Sequence, residues 1–209
     1  MSLPNIEYKG DISKFITAED DPYSMIMYYK DREWFEDPVA YSKFIKACET
    51  MVRTSKEYSA FLSWIKNVLG INFCQISSKI TADDATIEMH HNILTLYDIC
   101  AVLVNHYIRL GKKVTTMRIA NRCIDEHFAL RVQVIMACVT YHEGVHNRDI
   151  FVNFNQGIGN LAGFIEEYAA DFDDDLKYKI WTYLNASKAN ESYDKGLLDL
   201  EHVQKYIKL

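Results

Sequence analysis

Punctuation is scarce in this chain: its 209 residues include only three prolines and eight glycines. Long stretches run without a residue that ends a helix or bends a strand, so apolar spacing decides what they become. From Asp37 to Leu69 that spacing predicts helix. Phe44, Ile45, Cys48, Met51 and Val52, then Tyr58, Phe61, Leu62, Ile65 and Leu69, recur mostly at three- and four-residue steps, which line one helical face. Gly70 follows directly, where a C-cap belongs. INFCQIS (71–77) and ATIEMHH (85–91) alternate apolar and polar, with TADD as a turn between them. This predicts a short hairpin.

Beyond it, Thr95 can cap a helix with Asp98 in its first turn, running to about Leu110 and stopping at Gly111. A further helix is expected over Thr116 to Phe128. RVQVIMAC (131–138) alternates again, TYHEGVHN (140–147) starts another helix, and IFVNF (150–154) reads as a small strand or extended loop. After Gly157 and Gly159, helix returns at NLAGFIEEY, LKYKIWTYL and DLEHVQKYI. The first twenty residues look irregular. The expected fold is mainly α with a few short β-strands, of the α+β class, in a single domain over 1–209. Within it, a helical N-terminal part (1–70) and a helical C-terminal part (151–209) flank a site-bearing centre (71–150).

Composition narrows the function classes. With 49% hydrophobic and 25% charged residues the chain reads as an ordinary globular protein. No run of about 18 apolar residues could span a bilayer, and the N-terminus lacks a signal-peptide pattern, so a cytoplasmic location is expected. The five cysteines, Cys48, Cys74, Cys100, Cys123 and Cys138, are dispersed and odd in number, without a C-x-x-C pair. They read as reduced, buried thiols. Net charge is −6, unlike a protein coated for nucleic acid, but it is uneven. Residues 1–40 hold nine acidic against four basic side chains. Arg109, Lys112, Lys113, Arg118, Arg122 and Arg131, by contrast, are interrupted only by Asp125 and Glu126. Such a stretch can hold phosphate, and a solvated helix face explains it equally well.

The histidines carry the strongest chemical signal. Six of seven lie between His90 and His146. His142 and His146 in HEGVH stand one helical turn apart, a spacing that can chelate one transition metal. His90 and His91 close the strand-like IEMHH. HEGVH also fits the zinc-protease pattern H-E-x-x-H, but Gly144 weakens a long helix there. A protease would also need a third ligand downstream, for which only His202 is available.

In order and setting, IEMHH followed by CVTYHEGVH resembles the HNH (ββα-metal) endonucleases, and the stretch on to NLAGFIEEY is similar to HNH-like proteins of tailed bacteriophages. The resemblance covers about residues 71–150. It implies a ββα-metal centre with a helical insertion, because fifty residues separate His91 from His142. It also implies metal-dependent phosphodiester hydrolysis, with His91 as general base oriented by Gln133, where the family has asparagine. His90, His142 and His146 would hold one divalent metal (Mg2+, Mn2+, Ni2+ or Zn2+), with Glu143 as a supporting carboxylate. Lys112, Lys113, Arg118, Arg122 and Arg131 would contact nucleic acid, in the host cytoplasm if the chain is phage-encoded. Cys74 and Cys138 stand where two of four zinc-knuckle cysteines belong, with Tyr141 replacing another, so a structural zinc is not expected.

The competing reading is a non-catalytic phage-type protein that keeps this fold and binds a host or phage protein through its acidic first forty residues, where Trp34 and Phe35 look exposed. The discriminator is geometric: an enzyme needs His91 and the metal ligands to converge on one open pocket.

Overall fold

The computed structural model describes residues 15–16, 27–30, 32–147, 150–152 and 156–189. The chain is mainly helical, with two small antiparallel sheets among the described residues. One sheet joins β1 (Phe15–Ile16) to β2 (Met27–Tyr28). The expected long N-terminal helix is two helices, α1 (Pro38–Thr54) and α2 (Lys56–Asn67). Ser55 separates them: extended at φ −74°, ψ 151°, it accepts from Tyr58 N–H and caps α2. Apolar spacing continues across the break, but a serine cap costs the periodicity nothing, so the pattern alone hides the corner. Gly70 adopts φ +70° as its C-cap position requires.

The expected hairpin does not form. Residues 71–85 make turns with a single bridge, Phe73 to Thr81. β3 (Ile87–His91) pairs instead with β4 (Val134–Cys138), Ile87 opposite Cys138 and His91 opposite Val134. Gln75 occupies the outer edge of β4: its amide oxygen accepts from Met136 N–H and its own N–H reaches Met136 O, at 2.7 and 2.8 Å. Alternation identifies a strand but not its partner, and here the partner lies beyond a helical insertion.

That insertion is α3 (Leu96–Arg109) and α4 (Thr116–Phe128). The predicted signals are in place: Thr95 and Asp98 make a reciprocal capping box, and Gly111 has φ +63°. Both helices pack with α1 into the main core, around Ile45, Cys48, Leu103 and Cys123. After β4 comes α5 (Val139–His146), then α6 (Leu161–Tyr168) and α7 (Asp174–Ala189). A second apolar cluster, with Phe61, Ile65, Ile87 and Met136, lies between α2 and the β3–β4 ladder. The order β3, helical insertion, β4, α5 is the strand–strand–helix arrangement expected of the centre. The helix expected at DLEHVQKYI lies outside the described residues, as do positions 153 and 154 of IFVNF, whose residues 150–152 form no strand.

Two parts of the expected surface are interior. Phe35 is buried and Trp34 half-buried, packed edge-on against Phe35 and Phe44. They belong to the main core rather than to an exposed arm. Most of the acidic segment before them lies outside the described residues. Arg122 and Arg131 serve an ion network. Arg122 meets the fully buried Glu126 at 3.0 Å, and Arg131 meets it at 2.6 Å. Both also reach Glu167, and Tyr168 donates to Glu126 at 2.6 Å. A buried carboxylate needs this compensation, and two of the five cations expected to meet phosphate supply it here.

Candidate metal centre

Strand periodicity sorts the residues of β3. Ile87 joins the apolar cluster under the ladder, Met89 packs against the core, and His91 is buried. Glu88 and His90 face the other way, toward α5. Because α5 follows β4 without a linker and packs on the ladder, its His142 and His146, one turn apart, arrive over His90. One nitrogen from each of His90, His142 and His146 lies within 4.8 Å of the others. The ring centroids are 4.7 to 4.9 Å apart.

The geometry fits a metal ion. Glu88 Oε2 lies 2.7 Å from His142 Nδ1, so a proton on Nδ1 donates to the carboxylate and leaves the Nε2 lone pair facing the cluster. The Nε2 atoms of His142 and His146 are 3.1 Å apart. Two imidazole nitrogens about 2.05 Å from a tetrahedral ion would be separated by about 3.3 Å, so little movement is needed. Burial, helped by His142, His146 and the Lys179 ammonium, lowers the pKa of His90 to about 4. His90 is therefore neutral near pH 7, as a ligand must be. His90 and His142 are half-buried and His146 exposed, leaving one side open to solvent.

Gly144, which argued against a long helix, has a packing reason. Ile150 folds back onto α5, and a Cβ at position 144 would come 2.6 Å from Ile150 Cδ1. α5 is only eight residues long, and the third imidazole comes from β3, so the protease expectation of a long helix fails. His202 lies outside the described residues.

His91 is elsewhere. Its Nε2 is 2.9 Å from His127 Nε2, and Tyr58 stacks on its ring at 6.4 Å with 8° between planes. His127 Nδ1–H donates to Cys123 O at 2.6 Å; its Nε2 then accepts from His91 Nε2–H. Burial, followed by His127, Arg53 and His90, holds the His91 pKa well below its ordinary value. Gln133, expected to orient His91, is engaged with Asn92. Its Oε1 accepts from Asn92 Nδ2 at 2.6 Å, beneath Gly157, where a Cβ would lie 2.5 Å from the Gln133 side chain. The fold thus brings together three of the four expected histidines and turns the fourth into the core. Glu88, not the exposed Glu143, is the carboxylate that meets His142; its place two residues before His90 on a strand was the available signal.

The remaining candidates are scattered. Lys112 and Arg118 lie over the Tyr107 ring at 5.7 Å, and Lys113 over Tyr29 at 5.2 Å. They lie where α3 ends and α4 begins, whereas the N-terminal end of α3 follows β3. Fourteen residues of helix separate them by about 20 Å. Cys74 and Cys138 are buried thiols in the same apolar cluster, and among the described residues the histidine triad alone groups three metal-type donors this closely.

Residues 5–208 match the model of a family described as bacteriophage G278-like virion protein. No curated protein matches the chain, and no solved structure does.

Proposed function

This chain belongs to the bacteriophage G278-like virion protein family, and we propose that it acts there as a non-catalytic binding component whose ββα-like centre holds one divalent transition-metal ion. The observation that carries this reading is the division of the histidines: three imidazoles converge at the surface, while the one a nuclease would use as base pairs with His127 in the core. Three imidazole donors suit Zn2+ or Ni2+ and disfavour Mg2+, which takes oxygen ligands. Three protein ligands also leave a coordination position for a group on a partner.

Phosphodiester hydrolysis is the second reading, favoured by the open side of the ligand set. When bound, a divalent ion would polarise a phosphate oxygen there and acidify water. The buried His91 supplies no base, so the chain's own residues serve this chemistry poorly.

Supercoiled plasmid incubated with Zn2+, Ni2+, Mn2+ or Mg2+ separates the two. The binding reading expects intact plasmid while the protein carries one Zn2+ or Ni2+. Nicking that disappears in His90→Ala would overturn it and install the hydrolytic reading.

A further inference from the structure

At the end of α3 away from β3, a buried carboxylate lies beneath a half-exposed arginine. Asp171, in the 3-10 turn Ala169–Asp171 between α6 and α7, has a side chain only 1% exposed. Its Oδ1 accepts from Arg109 Nε at 2.6 Å and its Oδ2 from Arg109 Nη2 at 3.0 Å, with His106 Nδ1 at 2.8 Å. Asn105 holds the same turn: its Nδ2–H donates to Asp171 O and its Oδ1 accepts from Tyr41 OH. Arg109 is thereby fixed by one edge of its planar guanidinium. An Nε/Nη2 pair spent on one carboxylate turns Nη1 and its two N–H groups the other way, and the Arg109 side chain is 45% exposed.

Arg109 lines a cleft of about 410 Å³ together with Arg32, Ile108, Asp171, Phe172 and Asp173. Backbone bonds bring Arg32 there. Lys30 N–H donates to Val114 O at 2.9 Å, in the α3–α4 connection, and Arg32 O accepts from Phe35 N–H at 3.0 Å, with the Phe35 ring in the core. Asp173 is committed to α7, where its Oδ1 accepts from Leu176 N–H at 2.8 Å. The cleft therefore joins two guanidiniums to the apolar Ile108 and Phe172. We infer that it binds a carboxylate carried on a small apolar body, held between Arg32 and Arg109. Planar guanidiniums match a carboxylate, and ordering Arg109 in advance lowers the cost of binding. Asp171 and Asp173 set two negative charges against the two cations, which favours a singly charged ligand over a phosphate dianion. The carboxylate can be an acidic side chain of a partner protein or a free acid. This site is independent of the metal reading.

The test follows the arginine Nε–H signals of the full chain by NMR while ligands are added at low salt. The probes are the peptide Ac-Ala-Leu-Glu-Leu-Ala-NH2, its analogues with Gln or phosphoserine in place of Glu, and glutarate. Expected are saturable shifts of the Arg32 and Arg109 signals with the Glu peptide, and about ten-fold weaker binding of the Gln analogue. Arg32→Met, at an exposed position, should lose about ten-fold as well. Lys46→Ala, on the exposed side of α1, should lose nothing. Asp173→Asn keeps the α7 cap, because asparagine caps as well as aspartate, and should tighten binding by removing a negative charge from the cleft. Glutarate binding at least as tightly as the Glu peptide would identify a free acid as the source; tighter peptide binding would assign the carboxylate to a protein chain. Equal affinity for the Glu and Gln peptides, binding unaffected by Arg32→Met, or tighter binding of the phosphoserine analogue overturns the inference. So does an Arg109 signal that no probe shifts.

Discussion

Glu88 and His91 lie on opposite faces of one strand, and their different neighbours give them different tasks. Glu88 holds the Nδ1 side of His142, so removing it frees the ring to rotate and to change tautomer. Glu88→Gln should lower Zn2+ affinity by about 10- to 100-fold, measured by competition with a chromogenic chelator. An unchanged affinity would show that His142 is oriented by packing alone. His91 and His127 matter for stability instead. Burial lowers the pKa of His127 to about 4, below the roughly 6.5 of an unfolded chain. The unfolded state therefore binds a proton first as the pH falls. The stability this residue contributes is complete above pH 6.5 and is lost progressively toward pH 4. Urea midpoints at pH 7 and pH 5 should differ, the acid value lower. In His127→Gln the difference should shrink by about 1 kcal/mol or more; an equal difference in both proteins would contradict the role given to the buried pair.

Helices and strands were not equally readable from the residues. α3 and α4 announce their starts with capping threonines and α3 its stop with Gly111, signals that act within four or five residues. The β3–β4 pairing does not, because a strand pattern carries no address for a partner that lies more than forty residues away. The triad was readable for a related reason. One turn of helix joins His142 to His146, and the family resemblance placed β3 beside them. His91 was expected at the same site, yet the same periodicity turns it away: if His90 faces α5, its neighbour must face the core. Two changes test the elements that aim the ligands. Ser55→Ala should cost about 1 kcal/mol through the lost cap between α1 and α2, seen as a lower urea midpoint. Gly144→Ala should destabilise, because the new Cβ meets Ile150, although helix propensity alone would favour alanine by about 1 kcal/mol. In an Ile150→Ala background the same change should become neutral or stabilising. A stabilising Gly144→Ala in the otherwise native chain would mean that Ile150 does not rest on α5.

Taken whole, the molecule sets a surface histidine triad on a small ladder braced by two apolar clusters. The helices that brace it also engage cations of the basic stretch: Arg122 and Arg131 balance Glu126, and Arg109 balances the buried Asp171. No four-thiolate zinc site is needed to hold such a centre together when Cys74 and Cys138 are simply part of its apolar packing. Among the described residues no helix is long and apolar enough to cross a membrane. Among the described residues, three metal-type donors come together at His90, His142 and His146. The decisive measurement is a calorimetric Zn2+ titration of the full chain beside His90→Ala and His146→Ala at pH 7.5. One ion per chain, with affinity falling about 100-fold or more in each variant, is the predicted result. Variants that bind Zn2+ as tightly as the wild type, or a wild type that binds none, would contradict a metal centre at His90, His142 and His146.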